Sequence, residues 1–226
     1  MFGFNEYAKQ IALQIASEYS SFAIFVMNDA EYAAAQTSGF ETEMFDLSED
    51  WKRIEERFDP ENLIAFCALD KDAENIFLTI SLRSTFEHLP IIALAGDHES
   101  GAKLKSAGAN KVMPILQITA NVITEMLEKP TVTGVLHDIL YENSSLKIAQ
   151  IVVPESSSLV GKNLHDIEWG DEFDVLILAI VDHEQSATFS FTSRGHNHHI
   201  DPHDILVVVG YEEKIEVLSN AMGVER

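Results

Sequence analysis

The sequence has little cysteine, few basic residues and no long apolar run, and each shortage excludes a class of protein. A single cysteine, Cys67, cannot form an intrachain disulfide, and its place in the apolar run 63–69 predicts a buried strand residue in a reducing compartment. No apolar run reaches the roughly 18 residues of a membrane span, and no basic segment precedes an apolar stretch as in a signal peptide. We therefore expect a cytoplasmic protein.

Basic residues are outnumbered by acidic ones to an unusual degree. The chain has 15 Lys and Arg residues against 37 Asp and Glu residues, which gives a net charge of −22. Such a surface repels phosphate backbones and anionic lipid headgroups, so we expect no nucleic-acid partner. The acidic excess has two interpretations: the carboxylates keep the protein soluble, or a specific subset of them binds a divalent metal.

The first eight residues contain the pattern around which the first half of the chain is organised. In a dinucleotide-binding turn, Gly-x-Gly-x-x-Gly joins a strand to a helix, and its glycines allow a tight turn, close approach of a pyrophosphate and close helix packing. Those three positions hold Gly3, Asn5 and Ala8. Ala8 is small enough for close packing, but Asn5 places a side chain where the pyrophosphate would lie. The turn therefore indicates a dinucleotide-binding type of fold more strongly than it indicates a bound phosphate.

Residues 1–128 alternate between strand and helix patterns. Buried strands are predicted at 22–27, 63–69 and 90–94, with weaker ones at 41–45 and 111–113. Helices are predicted directly after the opening turn, at 31–36, around Trp51, Ile54 and Phe58, after Asp70 as an N-cap, at 100–107 and from Ile115. This order predicts the α/β class, with a Rossmann-like, doubly wound parallel sheet.

The remaining residues divide into a crossover and a second domain. Lys129, Pro130 and Thr131 interrupt the helix that begins at Ile115, and a second amphipathic helix follows, so residues 129–145 are predicted to be a crossover helix and linker. We expect this helical pair to pack on a partner subunit, with intrachain packing as the alternative. Residues 146–226 are predicted to be a small α+β domain with short strands and a last helix at 213–221.

The strand that should precede Gly3 is represented by Met1 and Phe2 alone. A central parallel strand normally runs about five or six residues. We therefore expect that the chain is a fragment of a longer polypeptide.

Several motifs in a fixed order resemble the RCK, or KTN/TrkA-type, regulatory domains of potassium channels and transporters. Besides the opening turn, the motifs are DKDAEN at 70–75, LKSAGANKVMP at 104–114, VPESSSLVGKNL at 153–164 and IDPHDILVVVG at 200–210. The resemblance implies that residues 1–128 are the N-terminal RCK lobe and that residues 146–226 are the C-terminal, TrkA-C-like lobe.

The resemblance also implies a function and partners. It implies a cytoplasmic ligand-sensing domain at the inner face of the membrane, a homodimer formed through the crossover helices, and a higher gating-ring oligomer that acts on a potassium channel pore or a transporter membrane subunit. Such a device requires a ligand that binds one ring geometry better than another. The leading hypothesis is a gating-ring domain of a channel. The alternative is a soluble regulatory subunit of a potassium uptake transporter.

Nucleotide binding would use the loops that follow the first strands. By alignment with the family, Met27 stands where an acid accepts the ribose hydroxyls, with Asp29 two residues later, and Phe45 replaces the glycine before Asp46. The candidate contacts are therefore Gly3, Asn5, Ala8, Asp29 and Asp46. Since three usual contacts have changed, at Asn5, Met27 and Phe45, we do not expect NAD. The cofactor stays unidentified, and an adenine nucleotide remains an alternative.

Four of the nine histidines are concentrated between residues 194 and 203. His196, His198, His199 and His203 are candidate ligands for a divalent metal or candidate proton sensors, although their spacing fits no standard zinc motif. Along a strand, alternation would place His196 and His198 on one face and His199 on the other. A solvated polar loop is the alternative interpretation.

We expect no enzymatic activity. A nucleotide-dependent oxidoreductase would need an intact phosphate turn and a proton-transfer group, and the second domain offers no acid–base pattern of specific spacing. Ser156, Ser157 and Ser158 lack a nucleophile-elbow pattern and are better explained as turn residues. A catalytic residue is therefore not predicted. The oxidoreductase and a purely structural oligomerisation domain remain as alternatives from other functional classes.

Overall fold

The computed structural model describes residues 1–18, 21–48, 51, 63–141, 145–182, 188–191 and 198–224. The chain forms two compact units, residues Met1–Thr124 and Glu125–Arg226. Within the described ranges, none of the helices combines the length and the apolar character needed to span a bilayer.

The first unit is a parallel sheet with helices between its strands. Its strands are β1 (Ala23–Val26), β2 (Glu41–Met44), β3 (Ala65–Cys67), β4 (Ile91–Ala95) and β5 (Lys111–Pro114). Its helices are α1 (Glu6–Ile15), α2 (Asp29–Thr37), α3 (Asp72–Thr85), α4 (His98–Ser106) and the start of α5 (Ile115–Glu128). All observed strand pairs, β1 with β2, β3 with β4 and β4 with β5, are parallel.

Phe2 joins the two halves of this sheet. It forms parallel bridges to Phe25 of β1 and to Cys67 of β3. The N–H of Phe2 donates to the carbonyl of Phe66 at 2.8 Å, and the N–H of Ala68 donates to the carbonyl of Phe2 at 2.8 Å. Two residues therefore act as the central strand, and the order across the sheet is β2, β1, Phe2, β3, β4, β5.

The core of the first unit forms because β1, β3 and β4 are apolar on both faces, as expected for buried parallel strands. Around Phe2, aromatic rings pack at centroid distances of 5.1 Å to Phe25, 5.4 Å to Phe45 and 5.6 Å to Trp51. Trp51 is buried, whereas the helix predicted through Ile54 and Phe58 falls in residues 52–62, outside the described part of the chain.

The predicted N-cap of α3 is wrong. The helix begins at Asp72, so its N-cap is Lys71 rather than Asp70, and Lys71 makes no side-chain cap hydrogen bond. Asp70 is instead engaged elsewhere, because its Oδ1 accepts a hydrogen bond from Asn5 Nδ2 at 3.0 Å. A long-range contact thus replaces the local one that the sequence favours.

Helices α5 and α6 (Pro130–Tyr141) carry a largely exposed apolar surface. Pro130 is the first residue of α6, where a missing N–H costs little. None of the residues of α5 is buried, and Leu127 is 79% exposed. The expected break between two amphipathic helices is confirmed.

The second unit contains an antiparallel sheet with helices packed against it. Strands β6 (Leu146–Val152), β7 (Val175–Asp182), β8 (Thr188–Phe191) and β9 (Ile205–Tyr211) lie in the order β6-β9-β7-β8. Helices α7 (Trp169–Phe173) and α8 (Glu212–Met222) accompany them. Buried residues of β6, β7, β9 and α8 form one core, which includes Ile151, Ile180, Leu206 and Leu218. The predicted fold class, a Rossmann-like α/β sheet followed by a small α+β domain, is confirmed.

Candidate functional site

The opening turn is shaped by how closely it approaches the end of β3. Gly3 has φ +93°, a left-handed conformation that side chains disfavour. A Cβ at this position would lie 2.5 Å from the carbonyl oxygen of Ala68. Ala8 is fully buried, so its role is to let α1 pack on the sheet. Two of the three predicted glycine functions, the tight turn and the close packing, are therefore present.

Asn5 serves the fold directly. Its Oδ1 accepts from the N–H of Ala8 at 3.0 Å, which makes it the N-cap of α1. Its Nδ2 donates to the carbonyl of Ala68 at 2.9 Å and to Oδ1 of Asp70 at 3.0 Å. The side chain thus binds the helix N-terminus to the loop after β3 and takes the place of a ligand at the Ala8 amide.

Glu31 contacts the same turn from α2. Its Oε2 accepts from the backbone N–H of Phe4 at 3.2 Å, and its Oε1 accepts from Asn28 Nδ2 at 2.9 Å. Asn28 is the N-cap of α2, because its Oδ1 accepts from the N–H of Glu31 at 2.9 Å. The Glu31 carboxylate, which is held by the N-cap residue of α2, therefore accepts a hydrogen bond from a backbone amide that lies just before α1.

A groove of about 430 Å³ lies between α1 and the carboxyl ends of β3 and β4. Its described lining includes three carboxylates, Glu6, Asp70 and Asp72, and no basic side chain. Asp72 Oδ1 accepts from the N–H of Gly96 at 2.9 Å. Open parallel sheets bind ligands at this edge, but the polarity of this groove does not suit a phosphate.

Buried Asn75 holds the floor of the groove. Its Oδ1 accepts from the N–H of Leu69 at 2.9 Å, and its Nδ2 donates to the carbonyls of Leu69 at 2.9 Å and Leu94 at 3.3 Å. These bonds fix the separation of the β3 and β4 ends. The groove is therefore preformed on a rigid support.

The other two nucleotide candidates lie apart from this groove. Asp29 is an exposed residue in the first turn of α2. Asp46 follows β2, and its Oδ1 accepts hydrogen bonds from the hydroxyl and from the N–H (2.8 Å) of Ser48, which lower the pKa of Asp46. Of the five candidates, Asn5 is the one found among the described lining residues of the groove. Gly3 and Ala8 belong to the same opening turn, and Asp29 and Asp46 lie elsewhere.

The candidate histidines that the structure describes have separate surroundings. His198 Nε2 lies 2.8 Å from Oδ2 of Asp204, an acid that is 0% exposed, and His198 Nδ1 lies 3.9 Å from Oδ2 of Asp182. His203 has φ +70° and lies 3.5 Å from Glu155. His199 contributes an isolated bridge, through its backbone, to Asn163.

His196 falls in 192–197, outside the described residues. In the ranges that the structure does describe, no group of three His, Cys, Asp or Glu side chains is arranged to hold a metal. His198 and His203 contact different acids. The hydrogen bond between His198 and Asp204 links the two ends of the segment 198–204.

Cys67 lies near the opening turn but is not a nucleophile. Burial raises the pKa of its thiol to about 12. At neutral pH the reactive thiolate is therefore negligibly populated.

No role in the site was predicted for Glu31, Asp72 or Asn75. The signal for Glu31 was present, since Asn28 followed three residues later by Glu31 is a capping-box spacing. Its contact with Phe4 could not be predicted, because it depends on β1 lying beside Phe2. Asp72 and Asn75 fall within the motif at 70–75, which marks the family resemblance without saying which backbone groups these side chains reach.

Comparisons with known proteins agree with this architecture. The TrkA-N domain model matches residues 1–114, and the TrkA-C domain model matches residues 148–223. The chain is 27% identical over 158 residues to "Probable potassium channel protein 2" of Methanocaldococcus jannaschii, covering 67% of this chain. The chain spans 45% of the length of that relative.

Solved structures share the fold at low sequence identity. The human SLO3 gating ring matches 97% of this chain and 45% of its own, with a TM-score of 0.68 and 10% identity. The GsuK channel matches 99% of this chain and 38% of its own, with a TM-score of 0.50 and 16% identity. Because both family models match, in order and across most of the chain, this protein belongs to the RCK family of paired TrkA-N and TrkA-C domains.

Proposed function

We propose that this chain is a cytoplasmic, non-enzymatic regulatory domain that controls potassium conduction through a membrane partner. The observation that carries the proposal is the 158-residue similarity to a probable potassium channel, in a chain that contains both RCK-type domains. The groove at the carboxyl ends of β3 and β4 supports a ligand-binding role, and Cys67, which is buried and protonated, is not available as a nucleophile. The domain acts at the inner face of the membrane.

The chain assembles as a homodimer through α5 and α6, and dimers assemble into a ring. The apolar surface of these helices supports this step. It is formed by side chains that are each at least 38% exposed: Leu116, Ile118, Val122, Ile123, Met126, Leu127, Val132, Val135, Leu136 and Leu140. Monomeric proteins rarely leave so large an apolar surface in water. A ring converts ligand binding in each groove into a change of ring geometry that a pore can sense.

Rubidium flux into liposomes tests the proposal. The membrane protein encoded with this chain, either in the same polypeptide or beside it, is reconstituted with and without residues 1–226. We expect the chain to change the flux, and a ligand to change it further only when the chain is present. Equal flux with and without the chain, across ATP, ADP, NADH and divalent cations, would contradict the proposal.

The same preparation separates the two forms of the hypothesis. A pore-forming segment in the same polypeptide indicates a channel domain. A pore on a separate polypeptide that must be mixed with this chain indicates a regulatory subunit of an uptake transporter, for which the described groove would serve the same role.

A further inference from the structure

We propose that Glu31 is an internal ligand of the opening turn, and that it determines specificity by excluding phosphate. Its carboxylate occupies a backbone amide that a bound phosphate would otherwise use. The turn therefore rejects ligands that would place a phosphate against its backbone amides. This inference goes beyond the control of conduction and concerns the chain by itself.

Two amide donors of the turn are already occupied. Turns of this type bind anions through backbone N–H groups at a helix N-terminus. Here the Phe4 N–H donates to Glu31 Oε2, and the Ala8 N–H donates to Asn5 Oδ1. Oxygen atoms of the chain itself thus take the places that phosphate oxygens would take.

The Glu31 carboxylate is also fixed in place. Asn28 donates to its other oxygen and accepts from its backbone N–H, so both ends of the residue are held. Phe4 is 5% exposed and its ring packs on Phe40 at 5.8 Å, which fixes the amide that Glu31 contacts. A phosphate would have to break a charge-assisted hydrogen bond between two positioned groups.

Charge opposes a phosphate as well. A phosphate that entered the turn would approach the carboxylates of Glu31 and Asp70, and the described lining of the groove offers no cation to offset the repulsion. Replacing Asn5 by Gly would remove its side-chain amide but would leave both carboxylates. Asn5→Gly alone is therefore insufficient to create a dinucleotide site.

Calorimetry with inorganic pyrophosphate, ADP and NADH tests the proposal on the full chain. The variants are Glu31→Ala, Asn5→Gly and the double variant Asn5→Gly/Glu31→Ala. We expect pyrophosphate to bind Glu31→Ala and the double variant at least about tenfold more tightly than wild type, because the freed amide and the lost repulsion both favour the anion. Asn5→Gly alone should leave the affinity within about threefold of wild type.

Glu6→Ala is the matched control. Glu6 is an exposed carboxylate in the first turn of α1, next to the opening turn, so its loss changes the net charge equally without freeing the Phe4 amide. An equal gain in Glu6→Ala and Glu31→Ala would show a charge effect alone and would overturn the proposal. Tight pyrophosphate binding by wild type would also overturn it, as would an unchanged pyrophosphate affinity in both Glu31 variants.

Amide hydrogen exchange provides a reading that does not depend on a ligand. The exchange of the Phe4 N–H should be at least about tenfold faster in Glu31→Ala than in wild type, because the hydrogen bond that protects it is gone. If Glu31→Ala does not fold, Glu31→Gln replaces it in both measurements, since its neutral amide oxygen is a weaker acceptor of similar shape. Unchanged Phe4 exchange in a folded Glu31 variant would overturn the proposal.

Discussion

Gly3 matches the glycine pattern of the family, whereas Asn5 departs from it. Contacts with the loop after β3 explain both residues. Gly3 keeps the glycine because the Ala68 carbonyl lies where a Cβ would be. Asn5 departs from the pattern, and its side chain fills the space with hydrogen bonds to Ala8, Ala68 and Asp70. The turn is therefore stabilised by the chain itself.

Substituting alanine at two glycines separates backbone strain from close contact. Gly39 also has a positive φ, of +86°, but apart from its chain neighbours no atom lies within 4 Å of the place that a methyl carbon would take. We expect Gly39→Ala to lower the free energy of unfolding by about 1 kcal/mol, the cost of a left-handed residue. Gly3→Ala should lower it by roughly 3 kcal/mol or more, since backbone must also move.

Urea unfolding followed by circular dichroism measures both values. The difference between the two variants is the free-energy cost of the contact with Ala68. Equal destabilisation by the two substitutions would mean that the turn relaxes at no cost, and that the close approach does not constrain Gly3.

At the scale of elements, α5 differs from helices α1 to α4 because none of its residues is buried within the chain. The apolar residues of α5 and α6 recur at helical spacing, so each helix carries a continuous apolar stripe. Local sequence explains the helices and the break at Pro130. It does not identify what covers them, a role that the proposed dimer assigns to a second copy of the chain.

Charge substitutions on these helices should dissociate the proposed dimer. Ile123→Glu or Leu136→Glu places a carboxylate in an apolar interface, where burial of an unpaired charge costs several kcal/mol. Light scattering coupled to size exclusion should show at least two copies for wild type and fewer copies for either variant. Leu13→Glu, on an exposed residue of α1, is the matched control. A monomeric wild type, or variants that stay dimeric, would contradict the assignment of this interface.

At the scale of the whole molecule, the net charge of −22 acts on stability as well as on partners. Like charges repel one another in the compact state more than in the unfolded chain. Salt shortens the range of this repulsion, from about 30 Å at 0.01 M to about 8 Å at 0.15 M.

We expect the melting temperature to rise with ionic strength over this range. Sodium chloride, potassium chloride and choline chloride should raise it equally, because screening does not depend on the identity of the cation. Differential scanning calorimetry measures the shift. A rise produced by micromolar magnesium or calcium, well below screening concentrations, would instead favour the alternative that a subset of carboxylates binds a divalent metal.

The sequence by itself determined the order and type of most of the described elements, although the short helix α7 (Trp169–Phe173) was not predicted. Apolar runs and helical periodicity depend on neighbouring residues, so β1, β3, β4, α5 and the antiparallel strands of the second unit could be predicted locally. The opening turn could also be located, since Gly3 and Ala8 satisfy local steric requirements. Residue types along the chain were enough for these features.

Only the tertiary structure decided what surrounds the turn. The contact of Glu31 with Phe4 spans 27 positions, and that of Asn5 with Ala68 spans 63. Both exist because Phe2 pairs with β1 on one side and β3 on the other, which brings distant loops to one edge of the sheet. Strand order is a property of the packed sheet, and it cannot be predicted from periodicity along the chain.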